Sequence, residues 1–389
     1  MRSLAFLFAT ATIGVAPVFA QQAPPPAEAR ITFTAKRITQ AKVTGVADRS
    51  SGRALMITDP VRVASISKLY VALGALRLVE EGKLDLDRDV SDYLGWRLRH
   101  PKFPEAKITL RLLFSHQSGI TDDADYLIPV DETIRAKLAD PKAWDLNHAP
   151  GTWFHYTNLN YPVIASIMET ASGERFDRLM MRTVMKPLKL DACFNWSGCS
   201  AVRVKQAVVL YDEKGGVRRD DLRGEAPACF GVPAKDGSCD ISHYQLGWNG
   251  AIFSPQGGLR ISVLDLARTG QMLLRSGKGF LKPASFKQLT TPSWRFDGSN
   301  GNSEQGFFCA YGLAVQEIGS GTSGCNDQPF ADGHIRFGHA GEAYGLKSGL
   351  WVDPKSGTGI AYFTTSVPDD APRGKTSFYA IEEAIISER

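Results

Sequence analysis

The sequence lacks most of the short motifs that assign a function at sight. It has no P-loop and no H-E-x-x-H, which excludes a phosphate-cradling loop and a zincin helix. It has no G-x-S-x-G, which excludes the nucleophile elbow of an α/β-hydrolase. Its 45 basic residues are mixed among 41 acidic ones with no basic stripe, so nucleic acid is not an expected partner. No C-x-x-C occurs and no histidine stands at ligand spacing, so no metal site is expected. There is no internal repeat. After the first twenty residues, no apolar run is long enough to span a membrane.

What is present is the composition of a soluble globular protein, 43% hydrophobic and 22% charged. A length of 389 residues suits one large domain or two modest ones. Arg2, the apolar run LAFLFATATIGVAPV and the small residues Val18 and Ala20 form a secretory signal, residues 1–20, with cleavage expected after Ala20. That run is too short for a membrane anchor, and no cysteine nearby could take a lipid. Residues 21–30 read as a Pro-rich tether. The expected location is the periplasm or the exterior. All six cysteines lie in the exported part, and an even count there points to disulfides. Six cysteines allow fifteen pairings; sequence order suggests the local pairs Cys193–Cys199, Cys229–Cys239 and Cys309–Cys325. The oligomeric state is not indicated.

Residues 31–62 alternate apolar and polar around the turn ADRSSGRA, as an antiparallel hairpin does. Residues 335–366 are strand-like again, with DPKSGTG as a turn. Between and after them run helical patterns: the amphipathic 64–84, then 108–114, 161–184 with a break at Ser172-Gly173, 264–275 and 378–386. Residues 193–250 are rich in Gly, Asp and Cys and read as long loops. Strands at both ends and helices in the middle predict an α+β fold. An antiparallel sheet flanked by helices comes from residues 31–100 and 255–389. A mostly helical part, residues 101–254, is inserted between them and carries the Cys-rich loops 193–250.

The chemistry starts at Ser65-Ile66-Ser67-Lys68, the chain's only S-x-x-K. Three residues apart on a helix, the hydroxyl and the amine share a face. A serine needs a base to become a nucleophile, and a lysine kept partly neutral by burial can be that base. A helix N-terminus favours negative charge, so the Ser65 N–H can form half of an oxyanion hole. The bland alternative is an N-capping serine beside a solvated lysine. Two downstream partners argue against it. Tyr156-Thr157-Asn158 is the only Y-x-N: Tyr156 can relay a proton, and Asn158 can hold Lys68 and a substrate carbonyl. His339-Ala340-Gly341 falls on a strand. Gly341 would let a substrate backbone approach, the Glu342 N–H would complete the oxyanion hole, and His339 would supply a donor or a positive charge. The rival Lys355-Ser356-Gly357 reads as a hairpin turn with Lys355 in solvent. His116 reads as a loop-holding residue, Gly257-Gly258 as a close passage of backbone past the site, Trp153 and Phe154 as packing, and Tyr344 as a pocket wall.

In this order and at these separations, Ser65-x-x-Lys68, Tyr156-x-Asn158 and His339-x-Gly341 resemble the class C β-lactamase and serine DD-peptidase superfamily. ITLRLLFSHQSGI, PGTWFHYTNLNYPVIASIMETASG, MKPLKL and FSPQGGLRISVLDLA extend the resemblance over residues 40–385. It implies a β-lactamase/penicillin-binding-protein-like fold, with a five-stranded-type antiparallel sheet, a helical domain and the site between them. It also implies an acyl-enzyme mechanism with no cofactor, and a small-molecule ester, peptide or β-lactam as substrate. Class C β-lactamases carry Lys at the position of His339. His there resembles DD-carboxypeptidases, D-amino-acid peptidases and some esterases. The expected activity is therefore that of a carboxylesterase or D-amino-acid peptidase. A β-lactamase, or a penicillin- or peptidoglycan-binding protein without turnover, is the alternative. Residues 193–250 match no pattern of the superfamily and are expected to shape the substrate pocket.

Overall fold

The period-two pattern near the N-terminus starts the sheet earlier than the tether reading allows. In the computed structural model, which describes residues 25–388, β1 spans Glu28–Thr34. The expected signal sequence lies outside the described residues, and residues 28–30 of the expected tether belong to the sheet. The reason is Arg30: it is buried, and its guanidinium donates to the Ile385 carbonyl at 2.9 Å near the C-terminus. β1 pairs with β2 (Ile38–Thr44), and the turn between them lies at 35–37. ADRSSGRA instead closes a second small hairpin, Val46–Asp48 with Arg53–Ala54.

Among the described residues the sheet is antiparallel throughout and has eight strands, not five. Its further strands are β3 (Trp294–Arg295), β4 (Ala310–Tyr311), β5 (Gln316–Ile318), β6 (Arg336–Ala343), β7 (Leu346–Asp353) and β8 (Thr358–Thr364). The order is β3-β4-β5-β6-β7-β8-β1-β2, so the two ends of the chain meet where β1 pairs with β8. The added strands, β3 to β5, are two or three residues long, too short to show alternation in sequence. Residues 354–357 form the expected turn between β7 and β8, with Lys355 exposed.

Every residue of β7 is buried because helices cover both faces of the sheet. Leu350 and Val352 face α3 (Val263–Leu274); Trp351 faces the opposite side, where Tyr362 donates to Glu382 of α4 (Ala380–Ser387) at 2.9 Å. α1 (Ser67–Glu80) is not amphipathic as expected. Its residues from Ser67 to Leu76 are all buried, because SKLYVALGAL is apolar almost all round and the helix is the centre of the molecule. It packs against the inserted helices, among them the turn Met181–Met185 and α2 (Asn160–Ser172), which ends at Gly173 in the left-handed region (φ 74°), as the Ser172-Gly173 break predicts. The three disulfides are Cys193–Cys199, Cys229–Cys239 and Cys309–Cys325. No helix among the described residues is long and apolar enough to cross a membrane.

Candidate active site

The site forms where the chain turns from a short strand into α1. Val61–Arg62 pairs with Leu259–Ile261, which also pairs with Cys193–Phe194. The chain then passes through Ala64 at φ 47°, a strained conformation for a residue with a Cβ, and makes one 3₁₀ turn, Ala64–Ile66. Ser65 therefore sits in this turn, just ahead of the α-helix in which the sequence placed it. Ser67 braces the turn: its hydroxyl donates to the Ala64 carbonyl (2.6 Å) and accepts from the Leu259 N–H (3.0 Å).

Lys68 is wholly buried behind Ser65. Its Nζ lies 3.0 Å from Ser65 Oγ, 2.8 Å from Asn158 Oδ1 and 2.9 Å from the Gln256 carbonyl. Burial pulls its pKa from 10.5 down to about 7, against an opposing pull from the Asp122 charge. In the neutral amine, two hydrogens satisfy the two carbonyl oxygens, and the lone pair is left for the Ser65 hydroxyl. Burial also pushes the Tyr156 phenol well up, with the Ser65 hydroxyl acting against that shift, so Tyr156 stays protonated at neutral pH.

Asp122 organises this group and was missed in the sequence. Its carboxylate accepts from the backbone N–H groups of Asn158 (2.8 Å) and Leu159 (2.9 Å) at the start of α2, and from Asn158 Nδ2 (2.9 Å). Holding Nδ2 there turns Oδ1 toward Lys68. His116 holds a loop, as expected: its Nδ1 accepts from the Thr157 N–H at 3.1 Å, and burial lowers its pKa so that it is neutral.

His339 corrects an expectation. The ring is buried, and burial together with the Lys68 charge lowers its pKa to about 3, so it carries no positive charge. Nδ1–H donates to the Ala340 carbonyl, which leaves Nε2 to accept from the Tyr311 hydroxyl at 2.7 Å. Both nitrogens are thus committed within the protein, and His339 supplies neither the donor nor the charge. Gly341 is also required for a different reason. A Cβ there would strike the Val63 carbonyl, so the missing side chain lets β6 lie against the turn that carries Ser65.

Tyr344 and Gly345, both at positive φ, form the two-residue turn between β6 and β7. Ala343 and Leu346 then form a hydrogen-bonded pair, as do Gly341 and Ser348. By alternation the Glu342 N–H points to the edge of β6 away from β7. The Glu342 carboxylate turns away and is paired with Lys347.

Ser65, Tyr156, Asn158 and residues 339–344 line one cleft of about 1000 Å³. Asn195, Arg219 and residues 231–233 also line it, so the Cys-rich stretch does shape the pocket. Away from the cleft, Asp332, His334 and Asp353 converge, but Arg336 pairs with both carboxylates there.

The sequence profile described as Beta-lactamase matches residues 29–384. The chain belongs to the Beta-lactamase family. Within that family it is similar to esterase EstB of Burkholderia gladioli, 30% identical over 39% of this chain and 42% of the esterase. It is also similar to the putative penicillin-binding protein PbpX of Bacillus subtilis, 34% identical over 32% of this chain and 30% of that protein. The chain thus spans less than half the length of these curated relatives. Its fold matches that of a class C β-lactamase from Rhodobacter sphaeroides, with a TM-score of 0.64 at 16% identity, over 89% of this chain and 91% of the other.

Proposed function

We propose that this protein is an exported serine hydrolase that cleaves an ester or amide bond through an acyl-enzyme on Ser65, and that it acts in the periplasm or outside the cell. The observation that carries this reading is the 3.0 Å approach of a buried lysine amine, its other hydrogens already accepted, to Ser65 Oγ. Neutral Lys68 takes the Ser65 proton as the oxygen attacks the substrate carbonyl. The N–H groups of Ser65 and Glu342 bind the oxyanion. As the tetrahedral intermediate collapses, Tyr156 passes a proton to the leaving group and is reprotonated from Lys68. Water then attacks the acyl-serine, gives its proton to the same base, and releases the acid and Ser65–OH. Asn158 holds Lys68, and Asn158, His339, Gly341 and Tyr344 form the substrate wall. Three disulfides suit an oxidising compartment.

Carboxylesters and D-amino-acid peptides, such as cell-wall stem peptides, are the proposed substrates, ahead of β-lactams. A neutral His339 stands where class C β-lactamases place a lysine, and EstB, an esterase by name, is among the relatives. The test is intact mass after brief exposure to a p-nitrophenyl ester, a D-Ala-D-Ala peptide or benzylpenicillin, for wild type and Ser65→Ala. An adduct in wild type alone that clears with time is expected for the ester or the peptide. An adduct that never clears would replace turnover with binding, and fast clearance of penicillin would invert the substrate order. Full activity in Ser65→Ala would end the proposal.

A further inference from the structure

Three residues before the proposed nucleophile, Arg62 forms part of the cleft wall, and its guanidinium has no hydrogen-bond partner among the described residues. It is 7% exposed, yet neither Nε nor Nη1 meets an acceptor, and among the described residues it makes no ion pair. Its Nη2 lies beside Gly257, the cleft glycine that also flanks the Ala64 backbone ahead of Ser65. A buried guanidinium without acceptors is costly, so something must satisfy it.

Asp220, the carboxylate whose charge acts on Arg62, does not. Asp220 accepts from Arg260 through both oxygens, at 2.7 and 3.2 Å, and from Trp196 Nε1 at 2.9 Å. A second cation adds to the excess: Arg219, exposed and in the cleft wall, also lacks an ion pair among the described residues. The guanidinium carbons of Arg62 and Arg219 lie 5.1 and 5.6 Å from the ring centre of the same residue, Tyr344. Of the other cleft cations, Lys347 pairs with Glu342, whereas Arg373 makes no ion pair among the described residues and stands apart, its guanidinium over Tyr379 and donating to the Ser377 carbonyl at 2.8 Å. Two of the three cleft cations without an ion pair, Arg62 and Arg219, thus share one ring, and the planar guanidinium suits a two-oxygen acceptor.

We propose that Arg62 and Arg219, both packed on Tyr344, form a carboxylate subsite beside Ser65, and that the preferred substrates carry a free carboxylate on the portion bound there. This rests on the reading of Ser65 as nucleophile and narrows its substrate class. The subsite uses the strand and loop on the Arg62 side of the cleft, away from His339.

The test compares the p-nitrophenyl monoester of adipic acid with its neutral carboxamide analogue, which differs only at the distal group. In wild type, kcat/KM for the carboxylate should exceed that for the carboxamide by about tenfold or more. The ratio should fall toward one in Arg62→Gln and drop part of the way in Arg219→Gln, whose exposed position keeps the test valid if Arg62→Gln folds poorly. A wild-type ratio near or below one overturns the subsite, as does a preference that survives both substitutions. Ser65→Ala run alongside separates the two claims. If it retains turnover, the nucleophile reading fails. Calorimetric binding of adipate to Ser65→Ala, with and without Arg62→Gln, then decides the subsite without catalysis: binding weakened by Arg62→Gln supports it, and no binding or unchanged binding overturns it.

Discussion

At the scale of single residues, the proposed chemistry depends on keeping one lysine neutral. With the Lys68 pKa lowered to about 7, its free-base form is gained as pH rises through that value. On the proposed mechanism, kcat/KM should therefore fall about tenfold per pH unit below the pKa of Lys68. Asp122 sets where that limb lies, because its charge raises the Lys68 pKa. Asp122→Asn removes the charge, so the acidic limb should move to lower pH even as activity drops. A limb that stays in place while the protein merely loses stability would reduce Asp122 to a structural brace. The sequence showed Ser65, Lys68 and Tyr156, the proposed nucleophile, base and relay, because their spacing is a motif. It did not show Asp122, one of several aspartates in TDDAD, because what distinguishes that residue is the fold bringing it to a backbone 36 positions away. Nor did it show the neutrality of His339, which comes from burial and is fixed by a hydrogen bond to Tyr311 on another strand.

At the scale of elements, glycines set how closely the pieces of the site can approach. Gly341 admits the Val63 carbonyl, and Gly270 on α3 admits the Phe33 ring of β1. The two should answer differently to alanine. Gly270→Ala gains about 1 kcal/mol of helix propensity, but it forces a methyl into a packed aromatic, a cost of about 1–3 kcal/mol. A lower unfolding midpoint with kcat nearly unchanged is expected. Gly341→Ala pushes the strand carrying the Glu342 N–H away from the turn carrying Ser65. A shift of about 1 Å there should cost roughly 100-fold in kcat/KM. If Gly341→Ala kept wild-type kinetics, the packing of β6 on the Ser65 turn would not matter for chemistry. Elements with long periodic patterns were legible in sequence: α2, α3, and β7 with β8. α1 was legible in place but not in burial. The hydrophobic pattern of one segment cannot say what surrounds it, and here the inserted helices close over its remaining face.

At the scale of the whole molecule, the sequence carried the α+β architecture because its two ends read as strands and its middle as helices. It missed the three short strands that widen the sheet, since β3 to β5 are held by their neighbours more than by their own residues. The same region shows what the cross-links do. Cys309–Cys325 closes a loop with a sequence separation of 16, anchored just ahead of β4. Next to Cys309, the Phe308 ring stacks on Tyr156 at 4.6 Å. This disulfide therefore restrains both the unfolded chain and the wall behind the proposed proton relay. On the loop-closure argument, its removal should cost about 3 kcal/mol. In Cys309→Ala/Cys325→Ala the urea midpoint should fall accordingly, and kcat should fall with it as Phe308 loosens against Tyr156. The denatured, unreduced wild type should show no free thiol. A double mutant with an unchanged midpoint would mean that the packing of Phe308, Phe154 and Trp294 holds this wall unaided. A lowered midpoint with unchanged kcat would confine the disulfide to stability.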